Sequence, residues 1–279
     1  MSLLNLKADF SPLGEGSLTV VRSKIFTGGE IDVLLSGDVG SEVTITTRVN
    51  TSNDLMELLM ATDALRGMGA EKIRVWIPCL PYARQDRLME QGEAFSLRVF
   101  ADIINAQGYA SVTVLDAHSD VGPALIRRCV NLNIHAFVAK VLADKRDYII
   151  VSPDAGAFKK VHKVCKAVGY DATPVICNKV RVHQGGIENI TVSIDDFEGR
   201  DAYIIDDICD GGRTFIALAE EIRKRNVGKI NLIVSHGILS YGEEPLRQGG
   251  IDHIYTTDSV RVIDSPYVTQ ITLRDILKA

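Results

Sequence analysis

Long hydrophobic runs are missing from this chain of 279 residues. A membrane-spanning helix needs about 18 apolar residues in a row, and no window approaches that, so no membrane span is expected. An excess of basic charge is missing too. The 31 lysines and arginines are outnumbered by 36 aspartates and glutamates, a net charge of −5. That balance argues against a chain built to coat nucleic acid or anionic lipid. Cysteine is sparse, and no CxxC pair offers a zinc or redox site. Cys79, Cys129, Cys165, Cys177 and Cys209 are odd in number, widely spaced and mostly set in apolar runs. They read as reduced, buried thiols of a cytoplasmic protein. The opening residues carry an acid at Asp9 and no apolar run leading to a small-residue cleavage site, so no secretory signal is expected. What is present is ordinary for a globular protein: 46% hydrophobic and 24% charged residues. The length suits one large domain or two smaller ones, with a sizeable core.

Short apolar runs alternate with segments of helical period, the pattern of an α/β protein. Ile31, Val33 and Leu35 alternate, Gly37-Asp38 and Gly40 turn the chain, and Val43 and Ile45 alternate again. Glu30 to Val49 is therefore expected to form a hairpin. Ser52 can cap the next helix, whose apolar stripe runs through Leu55, Leu58, Leu59 and Leu65 and which Gly67 and Gly69 end. Strands are expected at Ile73–Ile77, Ser111–Leu115, Tyr148–Val151, Thr173–Cys177, Ala202–Ile205 and Ile230–Val234, with a last short one at His253–Tyr255. Helices are expected at Phe95–Asn105, near Pro123–Cys129, after Asp154 and at Phe215–Arg225. No low-complexity linker separates the halves, and the midpoint near Ala136 to Asp147 is the natural boundary.

Polar residues cluster where strands end. Asp116 and His118, Asp154, and the pair Asp206-Asp207 each follow an apolar strand. Ligands of open α/β sheets bind outside the carboxyl ends of the strands. The richest segment is Tyr203-Ile-Ile-Asp206-Asp207-Ile-Cys-Asp210-Gly211-Gly212-Arg213-Thr214. A buried strand delivers two carboxylates, then a tight glycine loop opens a helix. Backbone N–H groups at such a loop cradle a phosphate, and the carboxylates can reach sugar hydroxyls directly or through Mg²⁺. A Walker loop, GxxxxGK[ST], is absent.

That segment resembles the phosphoribosyl diphosphate loop shared by type I phosphoribosyltransferases and ribose-phosphate diphosphokinases. Other segments separate the two. Pro81-Tyr82-Ala83-Arg84-Gln85-Asp86-Arg87 matches the ATP-site signature of the ribose-phosphate diphosphokinase (PRPP synthetase) family almost letter for letter. Asn53-Asp54-Leu55-Met56-Glu57-Leu58-Leu59, Val151-Ser-Pro-Asp154-Ala-Gly156 and Asp116-Ala-His118-Ser119 are similar to further family segments. The likeness runs in family order from about Phe26 to Thr257.

The resemblance implies two type I phosphoribosyltransferase-like subdomains, residues 1–138 and 139–279, each a mainly parallel sheet flanked by helices. It implies an Mg²⁺-dependent transfer of the β,γ-diphosphoryl group of ATP to the 1-hydroxyl of ribose 5-phosphate, giving PRPP and AMP. Phe26, Glu30, Arg84, Gln85, Asp86 and His118 would meet ATP. Asp206, Asp207, Asp210, Gly211, Gly212, Arg213 and Thr214 would hold ribose 5-phosphate. His118 and Asp154 would attend the metal, and Lys179 and Arg181, with His118, would be catalytic. Plainer readings stand beside these. His118 alone reads as a satisfied polar histidine, Asp154 as a helix cap, Phe26 as core, and Lys179 with Arg181 as a solvated edge. Homo-oligomerisation is implied, because the family's adenine contacts come from a neighbouring subunit's hairpin.

Departures from the family pattern matter as much. Arg213 replaces a glycine before the loop threonine, and Gly28 stands where the family has asparagine or aspartate. Gly92-Glu93-Ala94-Phe95-Ser96 and Asp120 to Leu125 replace two stretches that help form phosphate and ADP regulatory sites. Glu93 disfavours an anion there, so phosphate activation and ADP inhibition are expected to be weak or absent. Two other functions stay open. One is a phosphoribosyltransferase that consumes PRPP, in which the ATP-site signature would have no task. The other is a silent paralogue that regulates an active partner.

Overall fold

Parallel strands with helical crossovers recur in both halves of the chain. The structure is a computed structural model and describes residues 2–181 and 187–278. Two units divide the chain, one ending at Asn133 and the next running from Ile134 to Leu277. The expected boundary at 138/139 lies inside the first helix of the second unit.

Unit 1 contains β1 (Ser2–Asn5), β2 (Thr19–Ile25), β3 (Ile31–Ser36), β4 (Glu42–Thr46), α1 (Ser52–Gly67), β5 (Lys72–Trp76), α2 (Ser96–Ala106), β6 (Ser111–Leu115), α3 (Val121–Leu125) and β7 (Cys129–Leu132). Its main sheet has the order β1-β4-β5-β6-β7, and every pairing in it is parallel. Val43, Ile45, Val75, Val112 and Val114 share a core with Leu58, Ala61 and Leu65 of α1 and with Leu97, Phe100 and Ile104 of α2. Each fully buried large side chain contributes roughly 1.5–3 kcal/mol relative to exposure.

The expected hairpin over Glu30–Val49 does not form. β3 pairs antiparallel with β2, whereas β4 lies between β1 and β5. The turn sits earlier, at Phe26–Glu30, where the Phe26 N–H donates to the Glu30 carbonyl at 2.8 Å. Gly29 takes φ +92° there, a conformation that L side chains rarely adopt. Gly37 to Gly40 is a connection between separate sheets. The α1 cap also shifts by one residue. Thr51 is extended and accepts from the Asp54 N–H, while the Asp54 carboxylate accepts from the Thr51 N–H at 2.8 Å. Ser52 is already helical, so this capping box replaces the expected serine cap. In place of a helix reaching Cys129, α3 stops at Leu125 and Cys129 opens β7.

Unit 2 contains α4 (His135–Leu142), β8 (Tyr148–Ser152), α5 (Ala155–Ala167), β9 (Val175–Arg181), β10 (Ile187–Val192), β11 (Asp201–Cys209), α6 (Arg213–Arg223), β12 (Ile230–Gly237), α7 (Glu244–Gln248), β13 (His253–Thr257), β14 (Val268–Ile271) and α8 (Leu273–Leu277). The sheet order is β10-β9-β8-β11-β12-β13-β14, with only β9 and β10 antiparallel. β14 and α8 follow what the sequence suggested was the last strand. β11 and β12 are buried along most of their length and are the spine of the second core. Such continuous apolar strands are expected when helices cover both faces of a parallel sheet. Among the described residues, no helix is long and apolar enough to cross a membrane. All five cysteines are free thiols, three of them buried. Burial pushes Cys177 and Cys209 up to about 12, so they are inert at neutral pH.

Candidate active site

In unit 2 the candidate residues begin inside a strand. β11 was expected to stop at Ile205, but pairing with β12 continues through Asp206 opposite Val234 and Cys209 opposite Gly237. Asp206 and Asp207 therefore project from paired backbone, which fixes them better than a loop would. Asp207 is buried, and its N–H donates to Asp206 Oδ1 at 2.9 Å. Withdrawal from water, and then the adjacent Asp207 charge, push the Asp206 carboxyl well above the usual carboxylate range. Lys160 Nζ of α5 stands 3.9 Å from Asp207 Oδ2 and partly offsets that repulsion.

Asp210, Gly211 and Gly212 connect this strand to α6. Gly212 is the N-cap with φ +76°, and a Cβ there would come within 2.7 Å of Leu246. The left-handed residue is thus Gly212 and not Arg213, which is the first helical residue and exposed. The departure at Arg213 carries no backbone strain. Helix N-termini leave their first N–H groups without intrahelical partners, so Arg213, Thr214 and their neighbours present donors suited to a phosphate.

Asp154 is the N-cap of α5, its Oδ1 accepting from the Ala157 N–H at 2.9 Å. The reading of Asp154 as a helix cap therefore holds. Lys179 and Arg181 occupy alternate positions of β9, opposite Ile190 and Ile187. Their side chains, and residues 182–186 with His183 and Gly185, lie outside the described residues.

In unit 1 the signature Pro81–Arg87 follows β5 and Asp116–Ser119 follows β6. Asp86 turns inward and is 5% exposed. Arg87 grips it with two donors, Nε to Oδ1 at 2.8 Å and Nη2 to Oδ2 at 3.3 Å. This hydrogen bonding outweighs burial, and with help from the Ser119 hydroxyl and nearby His118 it holds Asp86 below the usual carboxylate range. Asp86 thus ties the signature to the Asp116–Ser119 segment. Its fork partner, Arg87, belongs to the same signature. Arg84, Gln85 and His118 are exposed.

Phe26 and Glu30 bracket the tip of the β2–β3 hairpin. Phe26 is 45% exposed with Lys24 Nζ 4.3 Å above its ring, which removes the reading of Phe26 as core. Nearer the base, Ser23 Oγ donates to Glu57 Oε1 of α1 at 2.5 Å, and Lys7 Nζ reaches Glu57 Oε2 at 2.6 Å. In the segment that departs from the regulatory pattern, Glu93 Oε2 accepts from the Met89 and Glu90 N–H groups at 2.7 and 3.3 Å. A carboxylate of the chain thus occupies both backbone donors. Sequence reading missed the partners Lys160, Arg87 and Ser119. Arg87 and Ser119 stand within quoted motifs, whereas Lys160 was only one of several lysines on a helix.

Comparison with known proteins gives these elements a common origin. A profile described as the N-terminal domain of ribose phosphate pyrophosphokinase matches residues 13–108. A phosphoribosyl synthetase-associated domain matches residues 172–272. The ribose-phosphate pyrophosphokinase of Vibrio cholerae is 30% identical over 285 residues, spanning 97% of this chain and 88% of that protein. The chain belongs to the ribose-phosphate pyrophosphokinase family. A second member, from Methanothermobacter thermautotrophicus, is 28% identical over 279 residues and covers 98% of this chain and 96% of its own. The fold agrees with the crystal structure of phosphoribosylpyrophosphate synthetase from Mycobacterium smegmatis, with TM-score 0.80 over 92% of this chain and 87% of that one at 23% identity.

Proposed function

We propose that this chain makes phosphoribosyl diphosphate as a ribose-phosphate diphosphokinase. The 1-hydroxyl oxygen of ribose 5-phosphate attacks the β-phosphorus of ATP. A new O–P bond forms, the bond from β-phosphorus to the α–β bridging oxygen breaks, and AMP leaves as the hydroxyl proton is lost to solvent or base. The observation that carries this reading is the strand-borne pair Asp206-Asp207 running straight into the Gly211-Gly212 turn and the N-terminus of α6. Two acids for sugar hydroxyls stand one turn away from donors for a phosphate, the two ends of a phosphorylated pentose.

Each assigned group has a physical task. The α6 N-terminus and Thr214 bind the 5-phosphate, and the exposed Arg213 adds a cation. Asp206 and Asp207 accept from ribose hydroxyls. A like-charged pair withdrawn from water gains most from a hydroxyl or cation placed beside it. Arg84 offers a fork to phosphate oxygens, Gln85 and His118 meet the nucleotide, and Asp86 keeps that loop in place. Lys179 and Arg181 stabilise the charge that builds on the transferring group. Phe26 and Glu30 offer a stacking face and a hydrogen-bond acceptor to adenine.

Magnesium fits as an ion carried largely by the substrate. Among the described residues, no group of three or more His, Cys, Asp or Glu side chains could hold a metal. Mg²⁺ usually keeps several waters and binds through substrate phosphates and one or two protein ligands. His118, which is exposed, and Asp154 suit that limited role. When bound, the ion would neutralise charge on the ATP phosphates. Val21, Ile25, Phe26 and Leu34 are 43–56% exposed on the small hairpin sheet. So much apolar surface there supports a homo-oligomer.

Chromatography of adenylates from a reaction with ATP, Mg²⁺ and ribose 5-phosphate tests the reading. AMP formed in step with phosphoribosyl diphosphate is the expected outcome. ADP would mean a one-phosphoryl kinase.

A further inference from the structure

The chain after β12 wraps the Asp210–Gly212 turn from one side. The N–H groups of Ile238 and Leu239 both donate to the Cys209 carbonyl, at 2.9 and 3.1 Å. Ser240 Oγ donates to Asp210 Oδ1. A Cβ at Gly211 would stand 3.1 Å from the Tyr241 ring, which is 70% exposed and lies over that glycine. Leu239 itself has φ +48° and is 1% exposed. A bulky residue adopts that conformation only when its surroundings impose it, and such outliers gather at functional loops. Three hydrogen bonds impose it here. Besides its N–H bond to Cys209, the Leu239 carbonyl accepts from the Gly242 N–H at 2.9 Å and from Arg261 Nη2 at 3.0 Å.

Asp210 poses an electrostatic problem. It is the first residue of a turn whose donors suit an anion, yet its own carboxylate repels one. Where that charge points therefore decides whether the turn accepts a phosphate. We infer that Ser240 is a positioning residue for ribose 5-phosphate, aiming the Asp210 carboxylate away from the phosphate donors, and that Tyr241 shields the outer face of the same turn. Neither acts on the transferring diphosphoryl group. The inference rests on the ribose 5-phosphate reading of this turn.

Isothermal titration of ribose 5-phosphate into the full chain tests it directly, without turnover. Ser240→Ala is expected to weaken binding about tenfold, the scale of a lost hydrogen bond to a charged group. Ser240→Thr, which keeps the hydroxyl, recovers most of the affinity. In an Asp210→Ala background, Ser240→Ala has no further effect, because the charge it aims is gone. Tyr241→Ala also weakens binding, and Tyr241→Phe restores it, since the ring and not the hydroxyl covers Gly211. The KM for ATP stays constant throughout, which a general loosening of the fold would not allow. Wild-type affinity in both alanine variants, or an undiminished Ser240→Ala loss in the Asp210→Ala background, overturns the inference alone. A wild-type chain that binds no ribose 5-phosphate overturns the functional reading and this inference with it.

Discussion

Asp86 and Asp206 are both shielded acids beside the candidate elements of their units, yet their surroundings drive them in opposite directions. Asp86 carries its own counter-ion. The Arg87 fork and the Ser119 hydroxyl hold it ionised and below the usual carboxylate range, despite its burial. Asp206 has withdrawal from water and a second carboxylate as its main influences, and both push it up. A shielded acid with a built-in cation has little charge left for a ligand and serves to fix a loop. An acid held against a like charge is stabilised by whatever hydroxyl or cation arrives. The two acids thus differ in the direction of their shifts because one has a cation beside it and the other a like charge.

The largest expected effect asks whether acids matter most at all. Lys179→Ala should lower kcat by about a thousandfold, as for other cations that meet transition-state charge in phosphoryl transfer. The KM for ribose 5-phosphate should change little, which steady-state kinetics checks. If the Asp206 variant below were the more damaging to kcat, the catalytic weight would lie with the acids instead.

Asp206→Asn sharpens the contrast next. Activity should fall while thermal stability rises by a few degrees, on the scale of about 1 kcal/mol in a chain this size. The unfolded carboxyl ionises near pH 4, the folded one only higher, so the native protein loses stability as pH rises through that window. The Asn variant loses none, and the gap between their melting curves should open with rising pH. A variant that melts lower than wild type at neutral pH would break the comparison.

Asp86→Asn should do the reverse. Its depressed pKa contributes stability present above the usual carboxylate range and lost as pH falls through the folded value below it. The variant should therefore melt below wild type at pH 7, with the difference closing under acid conditions. The smallest effect concerns regulation. With Glu93 on the Met89 and Glu90 N–H groups, added phosphate should leave the rate unchanged and ADP should act only as a competitor of ATP. Activity that requires phosphate would contradict this.

Local motifs were legible because their geometry is local. The glycine turn before α6, the acids Asp116 and Asp154 just beyond β6 and β8, and the parallel α/β architecture all follow from periodicity, glycine spacing and family likeness. Pairing partners were not legible. The alternation at Ile31–Leu35 and Val43–Ile45 is the same whether those strands pair with each other or with separate sheets. The continuation of β11 through Asp206 depends on β12, which lies more than twenty residues onward. Ser240 and Asp210 are likewise thirty positions apart, and Lys160 meets Asp207 from another element. Nothing in the local sequence of either residue announces its partner. The charge environment of an acid, which separates Asp86 from Asp206, is a long-range property of this kind.

The most direct test is ³¹P NMR of the purified chain with ATP, Mg²⁺ and ribose 5-phosphate in buffer without phosphate, run beside Lys179→Ala. Equal amounts of phosphoribosyl diphosphate and AMP, absent in the variant, are the predicted result. Signals of ADP, or no turnover with or without phosphate, would contradict the account.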